Sequence, residues 1–258
     1  DDEFAPLVEV YSQWGSSERR GRDGNEFPLA MGQGEIDEPG HYVADAHRMG
    51  HRVGMLGGAD FHGPQPGHSL IHTSPHLPSL AEWCRGGLGW GNIWRVWAEH
   101  SYPGGLTAFL APDLSRSAIF EALRSRSVYA TTQPHRILVD FSVNGVDVAT
   151  QTDRLLVDAP ETPREIAIDV AGTAPIDRVT VRKNDAVWHA IDGTDDPAAD
   201  LETYTVSATL TDDAPLAGMT WDDDRGTDGD VYTLQVRQAT ATDFAGMAWV
   251  GPIWVEPR

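Results

Sequence analysis

The chain is 258 residues long, enough for one large domain or two ordinary ones with ample core. It carries 39 acidic against 19 basic residues, a net charge of −20, and a surface that negative repels phosphate backbones and anionic membranes. Binding to nucleic acid through a basic patch is therefore excluded as an expectation. So is a membrane span, since no apolar run approaches the roughly 20 residues one needs.

Lys183 is the sole lysine, and this acidic, lysine-poor composition predicts adaptation to a salty cytoplasm, with plain solubility by charge as the alternative. The single cysteine, Cys84, rules out an internal disulfide and is read as structural, so nothing indicates an oxidising compartment and the cytoplasm is favoured. The chain opens Asp1-Asp2-Glu3, which reads as processed, trimmed or a fragment, with any upstream signal out of view.

The first predicted element is the strand "APLVEVYS", entered at Pro6 and built on Leu7, Val8, Val10 and Tyr11. Glu9 stands at its centre, and a buried carboxylate there needs a structural arginine or a metal ion to compensate it. Ser16, Ser17 and Glu18 follow, read first as helix-capping residues and otherwise as able to reach substrate. Arg19, Arg20 and Arg22 make a small basic run that either attracts a phosphate or lies solvated in a loop.

"EPGHYVADAHRMG" predicts a helix ended by Gly50, which separates His47 from His51 and leaves both as surface histidines. "RVGMLGGAD" predicts a short buried strand, and helix followed by strand is the rhythm of an α/β fold. "GGADFHG" follows directly, with Asp60 and His62 two apart and so on one face of a strand, where it leaves the sheet. A carboxylate and an imidazole so placed suit zinc, manganese or iron. His68 lies just beyond and could line the mouth of such a site. Trp83, Trp90, Trp94 and Trp97 are read as core rather than as an aromatic cleft. "PDLSRSAIFEALRSRS" is the best helix, with Ala118, Ile119, Ala122 and Leu123 on one face and arginines near its end.

Near residue 135 the pattern changes to period-two strands separated by turns. "RILVDFSVNG", "REIAIDVAG", "DRVTVRKNDAVWHA", "ETYTVSATL", "DVYTLQVRQA" and "MAWVGPIWVE" are spaced as in a β-sandwich. "WDDDRGTDGD" has the aspartate density of a calcium loop but lacks EF-hand spacing, so it is read as a solvated loop. The expected fold class is α/β plus all-β, with an α/β domain over 1–134 and a β-sandwich over 135–258.

"LVEVYSQWGSSE", "GGADFHGPQPGH" and "GGLTAFLAPDLSRSAIFEALRSRSVYATT", in that order and spacing, resemble the back half of a PHP (polymerase and histidinol phosphatase) domain. They are most similar to the branch known as domain of unknown function 3604, and the closing "VYTLQVRQATATDFAGMAWVGPIWVE" is similar to its last strands. The resemblance implies a partial PHP-like β/α barrel, a cluster of one to three divalent metals at the carboxyl ends of its strands, and a metal-dependent hydrolase, most plausibly a phosphoesterase. Carried over, Glu9, Asp60 and His62 match metal ligands. His68 is the implied catalytic helper, and Arg19 and Arg20 the implied substrate contacts for a small phosphoester.

This chain departs from the pattern in having no His-x-His pair, which in PHP domains stands on the first strand. That predicts an N-terminal complementing segment or chain as partner, and little or no activity from these residues alone. The alternative is a non-catalytic binding or structural module whose metal site is degenerate.

Overall fold

The computed structural model describes residues 4–29, 38–59, 102–133, 135–148, 154–242 and 244–258. Strand β1 (Leu7–Ser12) turns at Gly15 and returns as the two-residue β2 (Gly15–Ser16). Helix α1 (Val43–Arg48) then leads to β3 (Gly54–Gly57), which pairs parallel with β1. The result is a three-stranded sheet in the order β2-β1-β3. A strand, a helix and a parallel strand are what the alternating pattern predicted. Gly50, at φ +85°, ends the helical stretch as expected, because only glycine adopts that conformation without strain.

Strand β4 (Gly105–Phe109), helix α2 (Arg116–Arg124) and β5 (Val128–Thr132) follow. The Ser115 hydroxyl caps α2 by accepting from the Ala118 N–H, and Ala122 is the helix's one buried residue. Beyond them run β6 (Leu138–Val143), β7 (Val146–Asp147), β8 (Leu155–Val157), β9 (Arg164–Ala171), β10 (Ile176–Lys183) and β11 (Ala186–Asp192). The described chain closes with β12 (Thr205–Asp212), β13 (Met219–Thr220), β14 (Gly226–Thr227), β15 (Asp230–Gln238) and β16 (Met247–Pro257). One hairpin forms where the turn residues that end "RILVDFSVNG" placed it, at Asn144-Gly145, and a second forms at Asn184-Asp185, inside "DRVTVRKNDAVWHA", which reads as one strand; all four residues carry positive φ, as such two-residue turns require.

Two sheets face each other. One is seven-stranded, in the order β11-β10-β15-β16-β5-β4 with β8 parallel to β16; the other runs β12-β9-β6-β7. Val139, Phe141, Ile166, Ile168 and Val170 from the second meet Val179, Val181, Leu234, Val236 and Val250 from the first in one core. Each such side chain, fully buried, contributes about 1.5–3 kcal/mol. The sheet-rich part of the prediction is thus observed.

The large sheet runs past residue 134, because β4 pairs with β5 and β5 with β16. Among the described residues the strands form open sheets, and no barrel closes.

The α/β unit rests on the outer face of the large sheet. Val10, Tyr11, Phe27, Val43 and Met55 pack on Ala130, Met247 and Trp249, with Tyr11 stacked on Trp249 at 4.9 Å. The continuous apolar run of β16 is explained by this double burial: Ala248 and Val250 face the sandwich core while Met247 and Trp249 face the α/β unit.

Candidate functional site

Glu9 is exposed, which corrects the expectation of a buried carboxylate inside β1. Leu7 and Val8 are only half-buried, and the strand becomes fully covered from Val10 onward. The register between β1 and β3 also shifts between Glu9 and Tyr11, a bulge that re-aims the side chains there. The carboxylate lies over Gly58: a Cβ added to that glycine would fall 2.1 Å from Glu9 Oε2. The missing side chain at Gly58 is what gives the carboxylate its place. Because β1 and β3 are parallel, Glu9 is brought to the end where β3 leaves the sheet.

That exit is held by backbone hydrogen bonds. The Gly58 N–H donates to the Tyr11 carbonyl at 3.0 Å, and the Gly105 N–H donates to the Gly58 carbonyl at 2.7 Å. The Thr107 hydroxyl donates to the Gly57 carbonyl at 2.6 Å and accepts from the Gly57 N–H at 3.1 Å. On the other side of β1, the Ser17 hydroxyl donates to the Glu9 carbonyl at 2.8 Å, while the Ser17 backbone carbonyl accepts from the Val43 N–H at the start of α1 at 3.0 Å. Gly58 stands two residues before Asp60. Asp60, His62 and His68 themselves lie outside the described residues, as do Cys84 and Trp83, Trp90, Trp94 and Trp97. Among the described residues, no group of three or more His, Cys, Asp or Glu side chains is placed to hold a metal.

The basic run resolves differently for each arginine. Arg19 is buried, with Nη2 3.0 Å from Glu18 Oε1 and Nη1 2.5 Å from Asp185 Oδ1. Arg20 is half-buried, with Nε 3.3 Å from Asp23. Arg22 is exposed.

Glu18 is the buried hub of this cluster, with Oε2 accepting from Trp249 Nε1 and from Gln235 Nε2, both at 2.9 Å. Arg48 reaches Asp185 Oδ2 at 3.2 Å, and Arg182 Nη1 donates to the Asp185 carbonyl at 3.3 Å. Burial, then repulsion from Arg19, pushes the Arg182 guanidinium below its ordinary value. The sequence carried no sign of this cluster, since Arg19 and Asp185 are 166 residues apart.

His47 is another correction. It is 6% exposed, its Nε2 is 3.0 Å from the Val53 carbonyl, and its ring meets Trp254 edge-on, so it is not a surface histidine. Gly50 does end the helix, but the chain folds back at once to β3 and closes over the imidazole. Burial pushes its pKa down, offset only in part by the Val53 carbonyl. His51 is exposed, as expected.

Residues 53–159 match the family model described as "Protein of unknown function (DUF3604)", a span that includes β3, the Asp60-x-His62 motif and α2. The strand bearing Glu9 precedes it. Proteins named "Uncharacterized protein" from Chlamydia trachomatis serovar D and Chlamydia muridarum are each 28% identical to this chain over 190 residues, and one from Chlamydia pneumoniae is 30% identical over 189. Each match covers 72% of this chain and 26% of the relative, so the chain spans about a quarter of the length of these relatives. No solved structure matches.

Proposed function

We propose that this chain forms part of a metal-dependent hydrolase of the PHP kind, acting on a small phosphoester, with Glu9, Asp60 and His62 among its metal ligands. The observation that carries the reading is the seat of Glu9. Its carboxylate occupies the space left by Gly58, at the exit of the strand that runs on to Asp60 and His62. The cradle and the donor set fit a divalent cation, because two carboxylates and an imidazole suit zinc, manganese or iron.

Such an ion, when bound, supplies Lewis acidity and an activated water. The residues of this chain supply placement. Thr107, Tyr11 and Gly105 fix the backbone at the exit of β3, and Ser17 fixes β1 beneath Glu9. A carboxylate held this way keeps its negative charge directed at one point, and the backbone around it is preorganised. Further ligands come from a segment or chain beyond the three matched residues, and the isolated 258 residues are expected to turn over little substrate.

The test is metal content. The purified chain is equilibrated separately with zinc, manganese and ferrous iron, stripped of loosely held ion, and measured by elemental analysis beside Glu9→Gln and Asp60→Asn. Retention of about one ion by the parent and its loss in both variants is the expected result. Equal metal content in all three proteins, including none at all, overturns the proposal and favours the non-catalytic module.

A further inference from the structure

A polar cavity of about 350 Å³ lies between the turn after β2, helix α1 and the β10–β11 hairpin, with Arg19, Arg20, Arg48 and Arg182 in its wall. In a chain of net charge −20, four arginines around one cavity need an explanation. Most of their charge is answered locally. Arg20 is paired with Asp23, and Asp45, also in the wall, accepts from the Gly40 N–H at 2.9 Å. Arg19, Arg48 and Arg182 make their ion pairs with Glu18 and Asp185 alone, because Asp45 gives its carboxylate to a backbone N–H and pairs with none of them.

Arg182 is the least well paired of the three. It is 8% exposed, yet its nearest carboxylate oxygen, Glu18 Oε1, is 3.9 Å away and already taken by Arg19 at 3.0 Å. Glu18 Oε2 is filled by Trp249 and Gln235. The Asp185 carboxylate is divided between Arg19 and Arg48 and gives Arg182 only its backbone carbonyl, at 3.3 Å. Arg182 Nε is buried and has no hydrogen-bond partner. A buried guanidinium without a close counter-ion is costly, and its planar fork of donors matches the oxygens of a phosphate.

We propose that this cavity is an oxyanion site that takes a phosphate group, with Arg182 as its buried anchor and Arg48 at its rim. Glu9 is not among the residues of its wall, and the proposal does not depend on a bound metal. Arg19 holds the two halves of the site together by joining Glu18 to Asp185, and the bound anion gives the Arg182 guanidinium the close partner that it lacks.

The experiment is calorimetric titration of the full chain with inorganic phosphate and, separately, with phenyl phosphate, in low-salt buffer containing EDTA so that no metal ion contributes. The parent is expected to bind one phosphate saturably. Arg182→Gln should weaken binding about tenfold or more, and Arg48→Gln by a smaller factor. Phenyl phosphate binding as well as the free ion assigns the site to a phosphomonoester; weaker binding assigns it to inorganic phosphate. Circular dichroism checks that Arg182→Gln folds; if it does not, the half-exposed Arg48→Gln carries the test. The absence of saturable binding by the parent, or parent-like binding by every folded variant, overturns the proposal.

Discussion

Replacing Gly58 with alanine tests the seat of Glu9 without touching the carboxylate. The new Cβ would lie 2.1 Å from Glu9 Oε2, whereas ordinary contact begins at 3.4 Å, so the oxygen must retreat by the difference, 1.3 Å. Metal–ligand distances tolerate only about ±0.2 Å, so a displacement of that size removes the ligand in effect. An affinity loss of about 10- to 100-fold is expected.

Stability should change by less than about 1 kcal/mol, because the clash is with the mobile end of a side chain and alanine also restricts the unfolded chain. Gly57→Ala is the contrast. Its Cβ would meet the Leu106 carbonyl oxygen at 2.6 Å and the Leu106 nitrogen at 3.1 Å, both backbone atoms that cannot swing away. That change should cost about 1–3 kcal/mol. Manganese titration by calorimetry and urea denaturation, run on both variants, separate the effects. Parent-like metal affinity in Gly58→Ala, or an equal loss of stability in the two, refutes the reasoning.

Two further expectations concern stability. Arg164 is fully buried, with Nη2 3.0 Å from Asp212, Nη1 donating to the Thr162 carbonyl at 2.7 Å and Nε to the Tyr232 hydroxyl at 3.2 Å. Arg164→Met strands those partners and should lower the unfolding free energy by about 3–5 kcal/mol, seen as a lower urea midpoint at unchanged slope; a loss under about 1 kcal/mol contradicts it. The lowered pKa of His47 means that the unfolded chain takes up a proton that the folded chain excludes, so stability is retained above about pH 6.5 and falls as the pH drops below it. His47→Gln should flatten that fall in urea denaturation at about pH 7 and about pH 5; an identical pH dependence in parent and variant counts against a neutral buried imidazole.

Local chemistry was legible where it rests on short-range rules. The alternation of "REIAIDVA" and its neighbours predicted β9 and the other sandwich strands, and Asn144-Gly145 predicted a hairpin. The face of Ala118, Ile119, Ala122 and Leu123 predicted the buried side of α2, which Ser115 caps.

Exposure was less legible. Glu9 sits among strand-formers, but its surroundings depend on Gly58, some 50 residues along and without a side chain. His47 was read as lying on the surface because helical periodicity does not show which strand closes over the helix. Glu18 was read as a cap or a substrate contact rather than as a buried hub, and Arg182 and Asp185 gave no signal, because each is an ordinary charged residue until tertiary contacts bring the first strand unit onto the β10–β11 turn.

The position of β16 has a consequence for how the protein is made. It follows every other described element, yet β15 and β5 flank it and β8 joins it as a third partner. One bond, from the Met247 N–H to the Thr132 hydroxyl, spans 115 residues. During synthesis, β4 and β5 therefore leave the ribosome long before the strand that connects them to β15, and the apolar face that the α/β unit needs for support is incomplete until then. The nascent chain must keep those surfaces from pairing elsewhere while the 115 residues from Thr132 to Met247 are made, the interval in which a chaperone, or a salt-tolerant excess of negative charge, would matter most.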